Sequence, residues 1–139
     1  MINLMNSHSS SAAKTSVDPI TLTMWWNKLI TIVDESQATL LRTAFSRIVT
    51  ESWDFSCALF DAKGEMVALG RHGLPAFTGC MMFAMKDFLK SYPRSKLQPG
   101  DSLITTDPWI GASQINDVFF VTPIFKDSKL VAFAMSVSH

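Results

Sequence analysis

The sequence has little cysteine, no excess of charge and no long hydrophobic run, and each shortage excludes a class of protein. Two cysteines in 139 residues exclude a disulfide-rich secreted scaffold, and their apolar contexts are typical of core residues in a cytoplasmic protein. Twelve basic side chains balance twelve acidic ones, so neither nucleic acid nor an anionic membrane is an expected partner. No apolar stretch reaches the length of a membrane span, and no signal-peptide pattern opens the chain.

The common nucleotide-binding and hydrolase motifs are also missing. There is no glycine-rich phosphate loop, dinucleotide fingerprint, CxxC pair, HExxH motif or serine nucleophile elbow. The groups left for chemistry are acids and one histidine: Glu51, Asp54, Asp107, Asp117 and His139. Carboxylate and imidazole ligands together suit zinc or manganese, and a bound ion with an open position could activate water or polarise a carbonyl. The alternative is that these acids are ordinary solvated loop residues.

The stretch DSLITTDPWIGASQIND holds two of these acids in one irregular loop. A short apolar strand leads into Asp107, Pro108 and Trp109, and Asp117 stands at the start of the next apolar run. Acid, proline, tryptophan and glycine between two strands predict a shaped loop on a rigid scaffold, where sites are usually built. His139, the last residue of the chain, is the only later residue that could join these acids as a ligand or proton carrier.

The N-terminal half predicts a leader followed by a long helical region. Residues 1–17 are rich in serine and alanine without periodicity, which is typical of a disordered leader. Asp18 followed by Pro19 predicts a helix start. Apolar residues at helical spacing then predict one buried stripe: Leu22, Trp26, Leu29, Val33, Leu40, Ala44 and Ile48. The polar segment 34–37 predicts a bend or exposed turn, so residues 19–48 form one long helix or two in tandem. Trp25 is expected at a packing interface, with an aromatic ligand site as the alternative.

The rest of the chain predicts two β-hairpins and a further helix. Residues 55–60 and 66–69 flank a glycine-containing turn, and residues 118–125 and 130–137 flank a polar one. Between the hairpins, residues 80–92 predict a helix with Met81, Ala84, Met85, Phe88 and Leu89 on one face. Pro123 predicts an edge strand or a bulge. The final strand is apolar nearly throughout, so both of its faces should be covered.

The order of these elements predicts an α+β fold. It combines a long N-terminal helix, β-hairpins and a mixed or antiparallel sheet covered by helices. Because the chain stops at the end of a buried strand, we expect an incomplete domain.

Residues 18–139 resemble the hydantoinase B/oxoprolinase family nearly continuously and in the family's order. The matching stretches are DPITLTMWWNKLITIVDESQATLLRTAFS, DFSCALFDAKGEMVALG, GLPAFTG, LQPGDSLITTDPWIGASQIND and VTPIFKDSKLVAFAMSVSH. The family includes N-methylhydantoinases, 5-oxoprolinases and acetone or acetophenone carboxylases. Its members are several-fold longer, so the resemblance implies that this chain is an N-terminal portion of the family domain.

The resemblance also implies a function that the spacing of residues does not give. Family members work with a hydantoinase A-type partner that binds ATP and phosphorylates the substrate. The B-type subunit, which holds a divalent metal such as manganese or zinc, then completes hydrolysis of a cyclic amide, or carboxylation in the ketone carboxylases. We therefore expect a cytoplasmic, hetero-oligomeric hydrolase that acts on a small cyclic amide such as a hydantoin or 5-oxoproline.

The family's HLxD segment and a later strand-ending histidine supply metal ligands, which the resemblance assigns to Asp117 and His139, with Glu51 as a further acid. Asp107, Pro108 and Trp109 would shape the loop. One departure stands out, because Gln114 occupies the position of the first HLxD histidine. A carboxamide oxygen is a poorer zinc ligand than imidazole, so the isolated chain is expected to be inactive.

Three hypotheses follow from this sequence. The first is an N-terminal piece of the B-type subunit of a cyclic-amide hydrolase or a ketone carboxylase. The second is a truncated, non-catalytic paralogue that docks on an A-type subunit, as Gln114 and the abrupt C-terminus suggest. The third, a free-standing ligand-binding module, rests only on the tryptophan and methionine content.

Overall fold

The computed structural model describes residues 17–111 and 114–139, so the predicted leader lies outside it except for Val17. The elements are α1 (Pro19–Thr43), α2 (Arg47–Ser52), β1 (Phe55–Asp61), β2 (Met66–Leu69), α3 (Phe77–Ser91), a 3₁₀ turn (Arg94–Lys96), β3 (Leu103–Thr105), β4 (Val118–Lys126) and β5 (Lys129–Ser138). The fold is α+β, as predicted. Among the described residues, no helix combines the length and apolar character that crossing a membrane requires.

The five strands form one antiparallel sheet in the order β2-β1-β5-β4-β3. Both predicted hairpins are present, and the turn between β4 and β5 uses positive φ angles of 49° at Asp127 and 62° at Ser128, the left-handed backbone that tight hairpins favour. Pro123 lies in β4, which is not an edge strand. It is tolerated because β3 pairs only with residues 119–121 of β4 and because a bulge follows at Ile124 and Phe125.

The main core lies between the sheet and α3. Among the described residues it unites Phe60, Phe77, Met81, Ala84, Met85, Phe119, Phe133 and Val137, all fully buried. Residues of α3 at positions 81, 84, 85 and 88 face this core, as their spacing predicted. On the other face of the sheet, α1 contributes Val33 to a smaller cluster over β1 and β2.

The predicted stripe on the first helical region is only partly buried. Helix α1 begins as expected, because the Asp18 carboxylate accepts a hydrogen bond from Thr21 N at 3.0 Å and Pro19 takes the first helical position. Leu22 and Trp26 are nevertheless 53% and 52% exposed, because only the C-terminal half of α1 packs on the sheet. Ile48 is exposed and Val49 is buried instead, since the break between α1 and α2 shifts the helical phase.

The predicted bend at residues 34–37 is wrong, because α1 runs straight through it. Gln37, expected in an exposed turn, is 1% exposed. Its carboxamide donates a hydrogen bond to the His72 carbonyl and accepts one from His72 N at 3.0 Å. Asp34 accepts from Arg71 N at 2.9 Å. A polar patch on α1 therefore positions the loop between β2 and α3.

Candidate functional site

The candidate site lies at one end of the sheet, where the neighbouring strands β1 and β4 begin and β5 ends. Ser138 of β5 pairs with Phe55 of β1 on one side and with Val118 of β4 on the other. One residue further, His139 therefore lies between the residues preceding β1 and β4, which are Asp54 and Asp117. The backbone N–H of His139 donates to the Asp54 carbonyl at 3.2 Å, which extends the pairing to this row.

Alternation along each strand points these three side chains towards the α3 side of the sheet. Asp117 and His139 lie two residues from Phe119 and Val137, which are both in the core against α3. Asp117 is 0% exposed and the His139 side chain is 16% exposed. These side chains are therefore largely shielded from solvent, and they lie between this end of the sheet and α3.

Asp117 and His139 are in direct contact, with 3.3 Å between Asp117 Oδ1 and His139 Nδ1. A carboxylate only accepts hydrogen bonds, so this contact requires the proton of the imidazole to be on Nδ1. The Nε2 atom of a neutral imidazole then carries the lone pair. A carboxylate on one ring nitrogen is the usual way in which proteins orient a histidine that binds a metal through the other.

Gln114 lies beside the pair and contacts both of its members. Its Nε2 atom lies 3.2 Å from His139 Nδ1, and its backbone N–H donates to Asp117 Oδ2 at 3.3 Å. Because the single proton on Nδ1 is already donated to Asp117, the carboxamide is a second polar neighbour of this ring nitrogen. Gln114, at the sequence position where the resemblance implies a histidine, thus lies beside the pair.

Asp54 brings a second carboxylate to this end of the sheet. Its Oδ1 atom is buried and has no hydrogen-bond partner among the described residues. Leaving a buried carboxylate oxygen unbonded is costly, so this atom has the unmet bonding capacity of a ligand. Asp54 and Glu51 are the two acids that precede β1 in the sequence, and Asp54 stands directly before the apolar run. Its pairing with the last residue of the chain could not be read from sequence.

Glu51, the other acid before β1, does not lie beside Asp117 and His139. It lies on α2 with an ion pair to Arg47 at 3.6 Å, and its side chain is 68% exposed. Within the described ranges 17–111 and 114–139, no three His, Cys, Asp or Glu side chains approach closely enough to hold one metal ion. The structure thus brings together Asp117, His139 and Gln114, with Asp54 beside them.

The loop after β3 contains a turn that Asp107 stabilises. The Asp107 carboxylate accepts from Trp109 N at 2.9 Å, and the Asp107 carbonyl accepts from Ile110 N at 2.9 Å. A Cβ atom at Gly111 would lie 2.7 Å from the Cys80 carbonyl oxygen, so only glycine lets the loop approach α3 this closely. Pro108 and Trp109 are exposed, Trp109 by 90%. Asp107 therefore stabilises the turn in which it lies, and the chain continues from this turn to Asp117.

The sequence matches the profile of the hydantoinase B/oxoprolinase family over residues 18–139. The chain therefore belongs to that family, as its sequence motifs indicated.

Among curated relatives, the 5-oxoprolinase of Saccharomyces cerevisiae is 36% identical over 132 residues, which is 94% of this chain but 10% of the relative. A Pseudomonas protein named as the B-type subunit of a D-/L-hydantoinase is 30% identical over 125 residues, covering 88% of this chain and 21% of the relative. This chain therefore spans between about a tenth and a fifth of the length of these relatives.

Solved structures share the fold. The ATP-dependent caprolactamase of Pseudomonas jessenii superposes with a TM-score of 0.73 and 26% identity, covering 89% of this chain and 21% of that one. The nucleotide-free acetone carboxylase superposes with a TM-score of 0.77 at 23% identity, covering 88% of this chain and 16% of that one. At that identity the carboxylase supports the fold and not a shared activity.

Proposed function

We propose that this chain is the N-terminal portion of a B-type subunit in an ATP-dependent enzyme that hydrolyses cyclic amides. Family membership over residues 18–139 supports the proposal, as do relatives named as a 5-oxoprolinase and as part of a hydantoinase. One observation links the proposal to particular residues: the buried Asp117 carboxylate is in contact with His139 Nδ1. This pair is the part of the fold best suited to hold a reactive centre.

The residue types at the strand ends suit a divalent metal of the manganese or zinc type, because two carboxylates and an imidazole are a common ligand set for these ions. Asp54, Asp117 and His139 would supply the ligands, and their side chains would have to move closer together, because as placed they do not surround one ion. The buried, unbonded Oδ1 atom of Asp54 supports the fit, since a cation would satisfy it. When bound, such an ion supplies a Lewis acid that polarises a carbonyl or lowers the pKa of a water molecule.

The side chains around these donors have separate tasks in the proposal. In this structure the Asp117 carboxylate accepts a hydrogen bond from His139 Nδ1, a contact that it would give up in order to bind the ion. The loop that contains Asp107 packs on α3 at Gly111. Trp109, almost fully exposed on that loop, offers an aromatic surface for the apolar ring of a small cyclic amide.

The ATP-binding step belongs to a partner in this proposal. The chain has no glycine-rich phosphate loop, so an A-type subunit would bind ATP and activate the amide. Both cysteines are free thiols, which supports a reducing, cytoplasmic location.

Gln114 supports a second candidate function, a non-catalytic family member that docks on an A-type subunit. Its carboxamide lies 3.2 Å from His139 Nδ1 and stands at the sequence position where the family resemblance implies a histidine, which is a stronger metal ligand. A ketone-carboxylase subunit is a third candidate, supported by family membership alone.

Titration of the full chain with Mn²⁺ or Zn²⁺, followed by thermal unfolding, tests the metal proposal. Binding at a hundred-fold excess over Kd should stabilise the chain by about 2.7 kcal/mol. Asp117→Asn and Asp54→Asn should each remove most of this stabilisation. Asp107→Asn is the matched control, because asparagine keeps the turn at Trp109 N and Asp107 is no proposed ligand. No stabilisation, or equal stabilisation in all four proteins, contradicts the proposal.

A further inference from the structure

The two faces of the central sheet are unequally covered. Helix α3 covers one face, where Phe119, Phe133 and Val137 are fully buried. On the other face α1 lies over β1 and β2. The prediction that both faces of β5 are covered is therefore only half met.

The solvent exposure of one row of paired residues across the sheet shows this difference in coverage. Cys57, Ser136, Phe120 and Ile104 are consecutive partners on β1, β5, β4 and β3. Cys57 is 5% exposed beneath α1, whereas Phe120 and Ile104 are 40% and 62% exposed. We call the uncovered strip the open sheet face. It consists of Ile104, Phe120, Thr122, Ile124, Ala134 and Ser136.

A groove of about 580 Å³ runs between the open sheet face and α1. The hydroxyl groups that α1 turns towards it are already used, because Ser36, Thr39 and Thr43 each donate to a carbonyl of their own helix at 2.9 Å. Glu35 is the one ionisable acid or base among the described residues that line it, apart from the buried thiol of Cys57. An apolar occupant would therefore displace water without leaving these α1 hydroxyl groups unbonded, and an amphipathic one could keep its polar side towards Glu35.

We propose that the open sheet face is the docking surface for one amphipathic helix from the part of the family fold that lies outside residues 18–139. Three strands spaced about 4.8 Å apart make a strip of roughly 10–14 Å, which is the width of one helix. The matched region covers 21% of the hydantoinase relative and 21% of the solved caprolactamase, so nearly four-fifths of each lies outside it. The helix would lie beside α1 and cover β5, the middle strand of the sheet. This surface is independent of the metal proposal.

The test mixes the full chain with the separately produced segment of the Pseudomonas hydantoinase relative that follows its matched region. Size-exclusion chromatography with light scattering should detect a 1:1 complex. Phe120→Asp and Ile124→Asp should each weaken it at least ten-fold. Phe83→Asp is the matched control, because Phe83 is 65% exposed on the outer side of α3, and it should leave the complex intact. Circular dichroism of each variant checks that the fold is retained.

Three results overturn the proposal. The first is a chain that stays monomeric and does not bind the segment. The second is a homodimer that Phe120→Asp disrupts without any binding of the segment, which identifies a second copy as the occupant. The third is a complex that all three variants weaken equally, which moves the interface elsewhere.

Discussion

Replacing Gln37 by leucine should cost about 2–4 kcal/mol of folding stability. The side chain is 1% exposed, and its carboxamide bonds both the N–H and the carbonyl of His72. Leucine has a similar helix propensity to glutamine, so the change isolates the lost hydrogen bonds. Each backbone group left unbonded in a partly buried setting costs roughly 1–3 kcal/mol, and water reaching the exposed side of His72 reduces that sum.

Thermal unfolding measures the effect directly. A loss of about 2–4 kcal/mol lowers the Tm of a domain of this size by on the order of 10–20 °C. Gln98→Leu is the matched control, because Gln98 is exposed and should change stability by less than about 0.5 kcal/mol.

The loop between β2 and α3 should also lose order in the Gln37→Leu variant. Hydrogen exchange at residues 70–74 should accelerate more than exchange in the β4–β5 hairpin, because α1 would no longer hold that loop. If the Gln37→Leu variant unfolds within about 1 °C of the unmodified chain, the hydrogen bonds from Gln37 to His72 do not have the proposed stabilising role. A shift in Tm of that size is far below the expected one.

The other predictions concern the loop glycine, the buried thiol and the site amide. Gly73→Ala should destabilise the chain, because Gly73 has φ +99° and an added Cβ would lie 2.1 Å from the Phe55 carbonyl oxygen. Gly79→Ala has open space around the added Cβ and should stabilise α3 by about 0.5–1 kcal/mol. Equal Tm values for these two variants would contradict this. Burial raises the pKa of the Cys57 thiol from 9.0 to about 12. The native state then holds this proton more tightly than the unfolded chain, so the stability it contributes is intact below pH 9.0 and lost as the pH rises towards about 12. Cys57→Ala should flatten that alkaline loss in a Tm–pH profile, and an unchanged slope would count against it. Gln114→His should tighten Mn²⁺ or Zn²⁺ binding by roughly 100-fold, the upper range for changes around a metal site; equal affinity of the two proteins by calorimetry would show that Gln114 does not limit binding.

Much of the fold could be predicted because its signals are local. The two hairpins follow from alternating or apolar runs around short polar turns, and the buried face of α3 follows from residues at helical spacing. The failures lie where tertiary contacts decide. Gln37 looked like a turn residue because its partner, His72, is 35 positions away in sequence. Leu22 and Trp26 looked buried because periodicity does not reveal how far a helix extends beyond its sheet.

The candidate site was predictable in its residues more than in its arrangement. Asp117 and His139 came from motif resemblance, and the structure brings them to 3.3 Å. Asp54 required knowledge of the strand order, because only the position of β5 between β1 and β4 brings the three strand ends together. Glu51 is close to Asp54 in sequence, but the helix α2 directs it to solvent, where it pairs with Arg47.

The most direct test of the central proposal is anomalous scattering from crystals of the full chain grown with Mn²⁺. The account predicts one strong peak at the strand ends, within about 2.0–2.6 Å of a carboxylate oxygen of Asp54 or Asp117 and of His139. The same peak should vanish in Asp117→Asn crystals grown identically. A peak bound elsewhere on the chain, or none beside His139 at millimolar Mn²⁺, would contradict the assignment of this end of the sheet as a metal site.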